Sequence, residues 1–184
     1  MVETKGHLPG SSDYTWVQGA VLWSATRNPP VALPHDSKTI SSFLGLIGYC
    51  RIWIPDYGLI AQPLYKSLKG WEDSIPLMRG TPEKEAEASL KQALTQAPAL
   101  RLPDPKKAFQ LYVHEREGVT LGVLTQRLGS EPQPVAYLSK RLDPTTQDWP
   151  PCLWNLAAIA IMKEDALKLS FGGKLTIFTS HQVK

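Results

Sequence analysis

The stretch FQLYVHEREGVTLGVLTQ, residues 109–126, combines alternating apolar residues with three side chains that could take part in chemistry. His114, Glu115 and Glu117 lie where a predicted strand ends and a turn begins around Gly118. A carboxylate at the end of a strand is a hard oxygen ligand of the kind that Mg²⁺ binds. The chemistry that such a site would support is metal-assisted cleavage of a phosphodiester, provided that its ligands are present.

Other reactive residue types are sparse. Cys50 and Cys152 lie far apart in apolar surroundings without a closely spaced Cys or His, which predicts buried free thiols and is consistent with a reducing compartment. The sequence has no Asp-Asp pair for nucleotide transfer and no GxSxG motif for a serine hydrolase. His114 and His181 could form a transition-metal pair, but satisfied or solvated histidines are the simpler interpretation.

Composition is that of a globular protein with a small positive charge. The 184 residues are 42% hydrophobic and 20% charged, with a formal net charge of +3, enough for one large domain or two small ones. Residues 1–100 hold nine Lys/Arg and nine Asp/Glu, whereas residues 101–184 hold eleven and eight, so the excess of three lies in the C-terminal half. A solvated basic face and a nucleic-acid groove are both compatible with this distribution. Because no apolar run has the length of a membrane span and no signal segment precedes the first helix, we expect an intracellular protein of the cytoplasm or nucleus.

The first hundred residues divide into a leader and a helical part. Residues 1–30 show no sustained period and predict a poorly ordered leader, with room for one strand. Residues 31–100 predict a compact subdomain of three helices, of which the first has Asp36 or Ser37 as its cap and ends at Pro55. The second ends at Gly70. The apolar stripes of these two helices comprise Ile40, Phe43, Leu44 and Ile47, then Leu59, Ile60, Leu64 and Leu68.

The third predicted helix has the clearest boundaries. We expect Thr81 as its cap, Pro82 at its first position, and Pro98 as the residue that stops it. The residues expected to face the core are Ala86, Leu90, Ala93, Leu94 and Ala97.

From residue 106 onward the apolar period changes from helical to alternating. Phe109, Leu111 and Val113 predict a first strand, TLGVLTQRL a second, PVAYLSKRL a third after a GSEPQ loop, and GGKLTIFTS a fourth. Between the third and fourth strands, a helix of about 151–169 is apolar on nearly every side and is therefore expected to be buried. This order predicts an α+β domain with helices packed on a mixed sheet.

Several of these segments together resemble a known family. FLGLIGYCRIWIPDYGLIAQPLYKSLKG, LKQALTQAPALRLPDPKKAF, and GVLTQRLG followed by PVAYLSKRLDP and WPPCLWNLAAIAIM closely resemble the pol polyprotein of gammaretrovirus-like, endogenous retroviral elements. The resemblance runs from about residue 31 to 184 and covers the end of the reverse transcriptase, its thumb and its connection domain. It implies a thumb-like helical subdomain at 31–100 and a C-terminally truncated, ribonuclease H-like connection domain at 101–184. Because the leader does not resemble polymerase strands, we expect a truncated or re-spliced copy.

The resemblance also implies where metal-binding carboxylates would lie. Active relatives carry an Asp at the end of strand one, a Glu in the helix and an Asp at the end of strand four, and these positions fall on His114, Asn155 and Ser180. Glu115 would point to the opposite face of the strand, and Glu117 lies in the turn. We therefore expect no ribonuclease H activity, no bound metal and no cofactor, and the resemblance begins after the polymerase palm.

The expected role is to hold a template–primer duplex or RNA–DNA hybrid through weak, salt-sensitive phosphate contacts. For Trp53 core packing, and for Lys66 and Lys69 a solvated surface, are the alternative interpretations. A protein-interaction module acting on a related retroviral protein, and a remnant without a selected function, are the alternative hypotheses. The candidate nucleic-acid-binding residues are Lys38, Arg51, Trp53, Lys66, Lys69, Lys140 and Arg141.

Overall fold

The computed structural model describes residues 37–68, 80–143 and 149–179. All of them lie in one compact unit that begins at Asp36. The predicted leader lies outside the described residues, and a domain boundary near residue 100 stays a prediction.

The helical part contains four α-helices and one short 3-10 helix among the described residues. Ile40, Leu44 and Ile47 of the first helix are buried, as its apolar period predicts. The elements are α1 (Ser37–Tyr49), the 3-10 helix (Arg51–Trp53), α2 (Tyr57–Ile60), α3 (Gln62–Leu68) and α4 (Thr81–Thr95).

Three helix boundaries differ from the sequence-based expectation. The first helix ends at Tyr49 rather than at Pro55, and the 3-10 helix follows it. The single helix expected up to Gly70 is two short helices separated at Ala61, because Pro63 has no N–H to donate to the carbonyl of Leu59. The third helix begins one residue earlier than expected, so that Gly80 is its N-cap and Thr81 its first residue, without a side-chain cap.

The described residues of the C-terminal part form one helix and a four-stranded mixed sheet. Its order is β3-β2-β1-β4, with β1 and β3 antiparallel to β2 and with β4 parallel to β1. This confirms the predicted α+β fold. The expected GSEPQ loop is shorter than predicted, since β3 already begins at Glu131 and leaves Gly129 and Ser130 as the turn. The elements are β1 (Phe109–Arg116), β2 (Val119–Leu128), β3 (Glu131–Arg141), α5 (Pro151–Leu169) and β4 (Leu175–Thr179).

One face of the sheet, here called the helix face, carries the main core. Phe109, Leu111 and Val113 alternate along β1 and pack with Ala158 and Met162 of α5. A Cβ on Gly122 would lie 3.0 Å from the sulfur of Met162, so the close approach of α5 to β2 depends on glycine at this position.

α5 is buried against the sheet, as expected, but on one side only. Its buried residues follow helical spacing and face the sheet: Asn155, Ala158, Met162 and Ala166. On the outer side Leu153 is 39% exposed and Leu156 is 47% exposed. Composition predicted burial, but no described element covers this outer surface.

The opposite face of the sheet, here called the open face, carries Tyr112, His114, Leu121, Tyr137 and Phe178. The short helix α2 covers one end of it. There the backbone N–H of Gly58 donates a 3.0 Å hydrogen bond to Ser139 Oγ, and a Cβ on Gly58 would lie 2.8 Å from Val119.

The helical part also reaches the other face of the sheet. Ile52 of the 3-10 helix packs against the core of the helix face, whereas Gly58 lies against the open face. Residues 52–58 therefore pass from one face of the sheet to the other beside β3, which is an edge strand. Covering an edge strand in this way limits pairing with other chains.

Candidate functional site

His114 lies on the open face near the end of β1. It is exposed, pairs in register with Leu121 of β2, and points away from the face on which Val113 contacts the core. The strand continues to Arg116, and the assignment of His114 to the first carboxylate position stays a prediction.

Asn155 lies on the other side of the sheet. It belongs to the buried row of α5, which packs on the helix face, and the residue has an interaction partner. Because His114 points to the open face, the structure does not bring these two side chains together on one face. Ser180, the third position, lies outside the described residues.

The two neighbouring glutamates have structural roles in the β1–β2 turn. The carboxylate of Glu115 accepts a 2.7 Å hydrogen bond from the backbone N–H of Gly118. Glu117 has a left-handed backbone with φ of 54°, and its carboxylate lies 3.2 Å from Arg116 Nε. Both glutamates are thus engaged in holding the turn.

The donor set at the described positions does not fit magnesium. An imidazole and a carboxamide supply no negative charge, whereas Mg²⁺ prefers carboxylate oxygens in octahedral geometry. Within residues 37–68, 80–143 and 149–179, no group of three or more His, Cys, Asp or Glu side chains could hold a metal ion.

Most of the candidate cations are exposed. Lys38, Arg51, Lys66, Lys140 and Arg141 are exposed, Trp53 is half-buried, and Lys69 lies outside the described residues. None of these five cations forms an ion pair with a described acidic residue, in contrast to Lys91, Lys107, Arg116 and Lys168. The Nζ of Lys66 donates a 3.2 Å hydrogen bond to Gln62.

The structure separates two cations that are adjacent in sequence. Lys140 pairs in register with Thr120 and Arg141 with Val119, so alternation places Lys140 on the helix face and Arg141 on the open face. Gln62, one turn before Lys66, donates a hydrogen bond to the carbonyl of Glu117 in the β1–β2 turn. Lys66 and Arg141 therefore lie at the same end of the open face.

The open face also has a concavity that was not predicted. Its volume is about 460 Å³, and exposed Tyr112 and Phe178 stack at its rim with ring centroids 5.0 Å apart. The signal in the sequence was the alternation of these aromatic residues with the core residues of β1 and β4. The residues lining it include Asp56, Tyr112, His114, Val123, Tyr137 and Phe178.

Two buried ionisable groups lie away from this concavity. Burial raises the pKa of the Cys50 thiol, which is buried and free as the sequence predicts; the side chain of Cys152 is outside the described part. Burial, together with a hydrogen bond between the hydroxyl groups of Tyr57 and Tyr65, raises the pKa of Tyr57 far above its ordinary range. The positive charge of Arg51, one of the candidate cations, offsets a small part of this increase in the pKa of Tyr57.

The chain belongs to the family described as the RNase H-like domain found in reverse transcriptase, whose model matches residues 80–177. The Gag-Pol polyprotein of avian reticuloendotheliosis virus is 50% identical over 154 residues, covering 84% of this chain and 13% of that protein. The Pol polyprotein of feline endogenous virus ECE1 is 41% identical over 169 residues, covering 92% of this chain and 16% of that protein. The resemblance to gammaretroviral pol is confirmed, and the chain spans only a small part of these relatives' length.

Solved structures share the fold at low sequence identity. The foamy viral protease-reverse transcriptase dRH in complex with double-stranded DNA has a TM-score of 0.73 and 18% identity, covering 93% of this chain and 28% of that chain. The foamy viral protease-reverse transcriptase in complex with an RNA/DNA hybrid has a TM-score of 0.72, also at 18% identity, covering 95% of this chain and 22% of that chain. In the part of the chain that the structure describes, no helix is long and apolar enough to cross a membrane.

Proposed function

We propose that this chain is a non-catalytic, reverse transcriptase-derived module that binds double-stranded nucleic acid. An RNA–DNA hybrid is the duplex used to test this proposal. The observation that carries the proposal is that two exposed cations without a described acidic partner, Lys66 and Arg141, lie at the same end of the open face. Lys38, Arg51 and Lys140 are likewise exposed without a described acidic partner. Unpaired surface cations attract phosphates and release counterions on binding. The fold shared with reverse transcriptases in complex with double-stranded DNA and an RNA/DNA hybrid supports it.

Lys66 and Arg141 are the cations that act together in this proposal. Both lie at the end of the open face where α2 and α3 meet the β1–β2 turn. Lys140 points to the other face of the sheet, so it contributes less to binding at this site. The phosphate contacts are independent of base sequence, because phosphates carry no sequence information.

The module does not cut the nucleic acid that it binds. His114 and Asn155, to which the family resemblance assigns carboxylates, carry an imidazole and an amide, and their side chains project toward different faces of the sheet. Two-metal hydrolysis requires negatively charged oxygen ligands that hold both ions close together. Glu115 and Glu117 do not replace the missing metal ligands, because both carboxylates interact within the β1–β2 turn.

The test is the salt dependence of binding to a fluorescently labelled RNA–DNA hybrid, measured by anisotropy. Changing Lys66 and Arg141 together to Ala should weaken binding to every sequence alike and reduce the salt slope by about one to two units. The matched control replaces Lys84 and Lys163, which are also exposed, and removes the same charge. Equal effects of the two double variants, or no effect of the first, would contradict the proposal.

A protein-interaction module acting on a related retroviral protein is the second candidate. The observation in its favour is the outer side of α5, where Leu153 and Leu156 are exposed; Trp149, shortly before the helix in sequence, is also exposed. Exposed apolar patches often mark protein-binding sites. Under this hypothesis, Leu156→Asp abolishes binding to a purified gammaretroviral Pol protein, whereas hybrid binding by the same variant is unchanged.

A further inference from the structure

The concavity on the open face has the size and lining of a site for a flat aromatic group. Its volume of about 460 Å³ is in the range of small-ligand sites, which are typically about 300–1,000 Å³. Apolar side chains from neighbouring strands form its floor, with Val123 and Leu121 from β2 and Tyr137 from β3. The polar groups at its edge are few.

An aromatic pair forms the rim of this concavity. Tyr112 of β1 and Phe178 of β4 are neighbours in register, and their rings stack with 15° between the planes. Each of the two residues is 41% exposed, so the pair presents aromatic surface to solvent. Exposed aromatic rings on a sheet are a platform on which unpaired bases stack, as in several single-strand-binding folds.

Charged side chains are few in the concavity, and the cation on its face of the sheet, Arg141, lies outside the lining. Among the described residues that line it, Asp56 alone has a carboxylate. His114 lies in the same lining and adds no negative charge at neutral pH. Arg141 lies on the same face of the sheet at the end of β3, without a described acidic partner.

We propose that the open face binds the unpaired bases of single-stranded nucleic acid, with a base stacked on the Tyr112–Phe178 pair and its backbone directed toward Arg141. This inference deepens the proposed function and rests on it. A duplex cannot use the platform, because its bases are already stacked and paired within the helix. An apolar peptide or a second copy of the chain would need no aromatic platform beside a cation, and both are outcomes of the test below.

The experiment compares two labelled probes, an oligouridylate and an RNA–DNA hybrid, in anisotropy titrations with the full chain. The first variant combines Tyr112→Leu and Phe178→Leu, which keeps apolar volume and removes both rings. Single-strand affinity should fall at least about fivefold, with hybrid affinity unchanged. The matched control is Leu128→Ala, an exposed apolar residue outside the concavity, which should change neither affinity.

A second variant, His114→Asp, tests the same site without altering the aromatic pair. A carboxylate at this exposed position adds negative charge to the concavity, so single-strand binding should weaken severalfold, and more at low salt than at high salt. If thermal unfolding shows that the double aromatic variant does not fold, His114→Asp alone tests whether the concavity binds single-stranded nucleic acid.

The outcomes separate this inference from the proposed function. Hybrid binding that depends on Lys66 and Arg141, with single-strand binding indifferent to both open-face variants, would overturn the inference and leave the proposed function standing. If the unmodified chain binds neither the oligouridylate nor the RNA–DNA hybrid, the inference and the proposed function are both overturned. A self-association that the aromatic variant abolishes, seen by sedimentation, would assign the face to a second copy and overturn the inference.

Discussion

Gln126 connects the segment before β1 to the middle of the sheet. Its side chain is fully buried, yet its amide donates hydrogen bonds to the carbonyls of Asp104 and Lys107 at 2.7 and 3.2 Å. Its carbonyl oxygen accepts a 2.8 Å hydrogen bond from the N–H of Asp104. A buried amide with three bonds fixes the loop that leads into β1, and no periodic pattern in the sequence could have indicated it.

Gln126→Leu should therefore destabilise the protein by about 2–3 kcal/mol, because it leaves backbone groups of Asp104 and Lys107 without their partner. The measurement is the free energy of unfolding in urea. Gln92→Leu, at an exposed position of α4, is the control and should change stability by less than about 0.5 kcal/mol. Equal stability of the Gln126 variant and the unmodified chain would show that water replaces these bonds.

Tyr57 makes the free energy of unfolding depend on pH in the alkaline range. Burial, and then the 3.1 Å hydrogen bond with Tyr65, raises its pKa in the folded protein, so folding favours the neutral phenol. The resulting stabilisation is fully present below the unfolded-state pKa of about 10 and declines as pH rises above it.

In Tyr57→Phe, stability should fall at neutral pH because the hydrogen bond is lost, but its decline above about pH 10 should be less steep. Urea midpoints at pH 8, 9, 10 and 10.5 measure this difference. Tyr65→Phe is the control, since it keeps the buried phenol and should retain most of the alkaline decline. Parallel curves for the unmodified chain and Tyr57→Phe would contradict this explanation.

At the scale of elements, periodicity predicted which segments form strands and which form helices, but not where every element begins and ends. The strands, their mixed arrangement and the bounds of α5 at Pro151–Leu169 follow from alternation and from a long apolar helix between strands. The sequence could not show that Leu153 and Leu156 are exposed. An apolar helix sequence does not indicate on which of its sides another element packs. Nor could the sequence predict contacts between distant segments, such as those of Gly58 with Val119 and Ser139.

α2 depends on glycine for its contact with the sheet. A methyl group at Gly58 would lie 2.8 Å from Val119 and 3.2 Å from Ser139. Gly58→Ala should therefore destabilise the protein by about 1–3 kcal/mol. Gly45→Ala is a matched control, since no atom lies within 4 Å of its added Cβ, and alanine inside α1 should be neutral or stabilise by up to about 1 kcal/mol.

Thermal unfolding of both glycine variants measures this contrast. Amide hydrogen exchange should in addition show faster exchange in α2 and α3 of the Gly58 variant than in the sheet. Similar stability changes for the two substitutions would mean that α2 does not pack closely on the open face.

α5 should tolerate a charge on its outer side and not on its inner side. Met162 is fully buried against the sheet, so Met162→Asp should prevent folding, since burying an unpaired charge costs several kcal/mol. Ile159→Asp, at a partly buried position, should be less severe, and Leu156→Asp on the outer side should be close to neutral. Circular dichroism during heating measures all three, and unfolding of the Leu156 variant would show that this side is covered.

At the scale of the whole molecule, the chain has the fold of a ribonuclease H-like domain, and we propose that this domain does not cut nucleic acid. The sequence allowed the positions of His114 and Asn155 to be predicted through the family resemblance. It could not show that they project toward different faces of the sheet, because this requires the register of β1 and the packing of α5. The charge distribution likewise predicted a basic half but not the separation of Lys140 from Arg141.

The central claim is that the molecule binds a hybrid without cutting it. A labelled RNA–DNA hybrid is incubated with the unmodified chain in Mg²⁺ or Mn²⁺, with a chelator control, and each reaction is divided between a native and a denaturing gel. We predict a shifted band that weakens as salt increases and a labelled strand of full length in every lane. Chelator-sensitive cutting, or a hybrid that is never shifted even at low salt, would contradict this account.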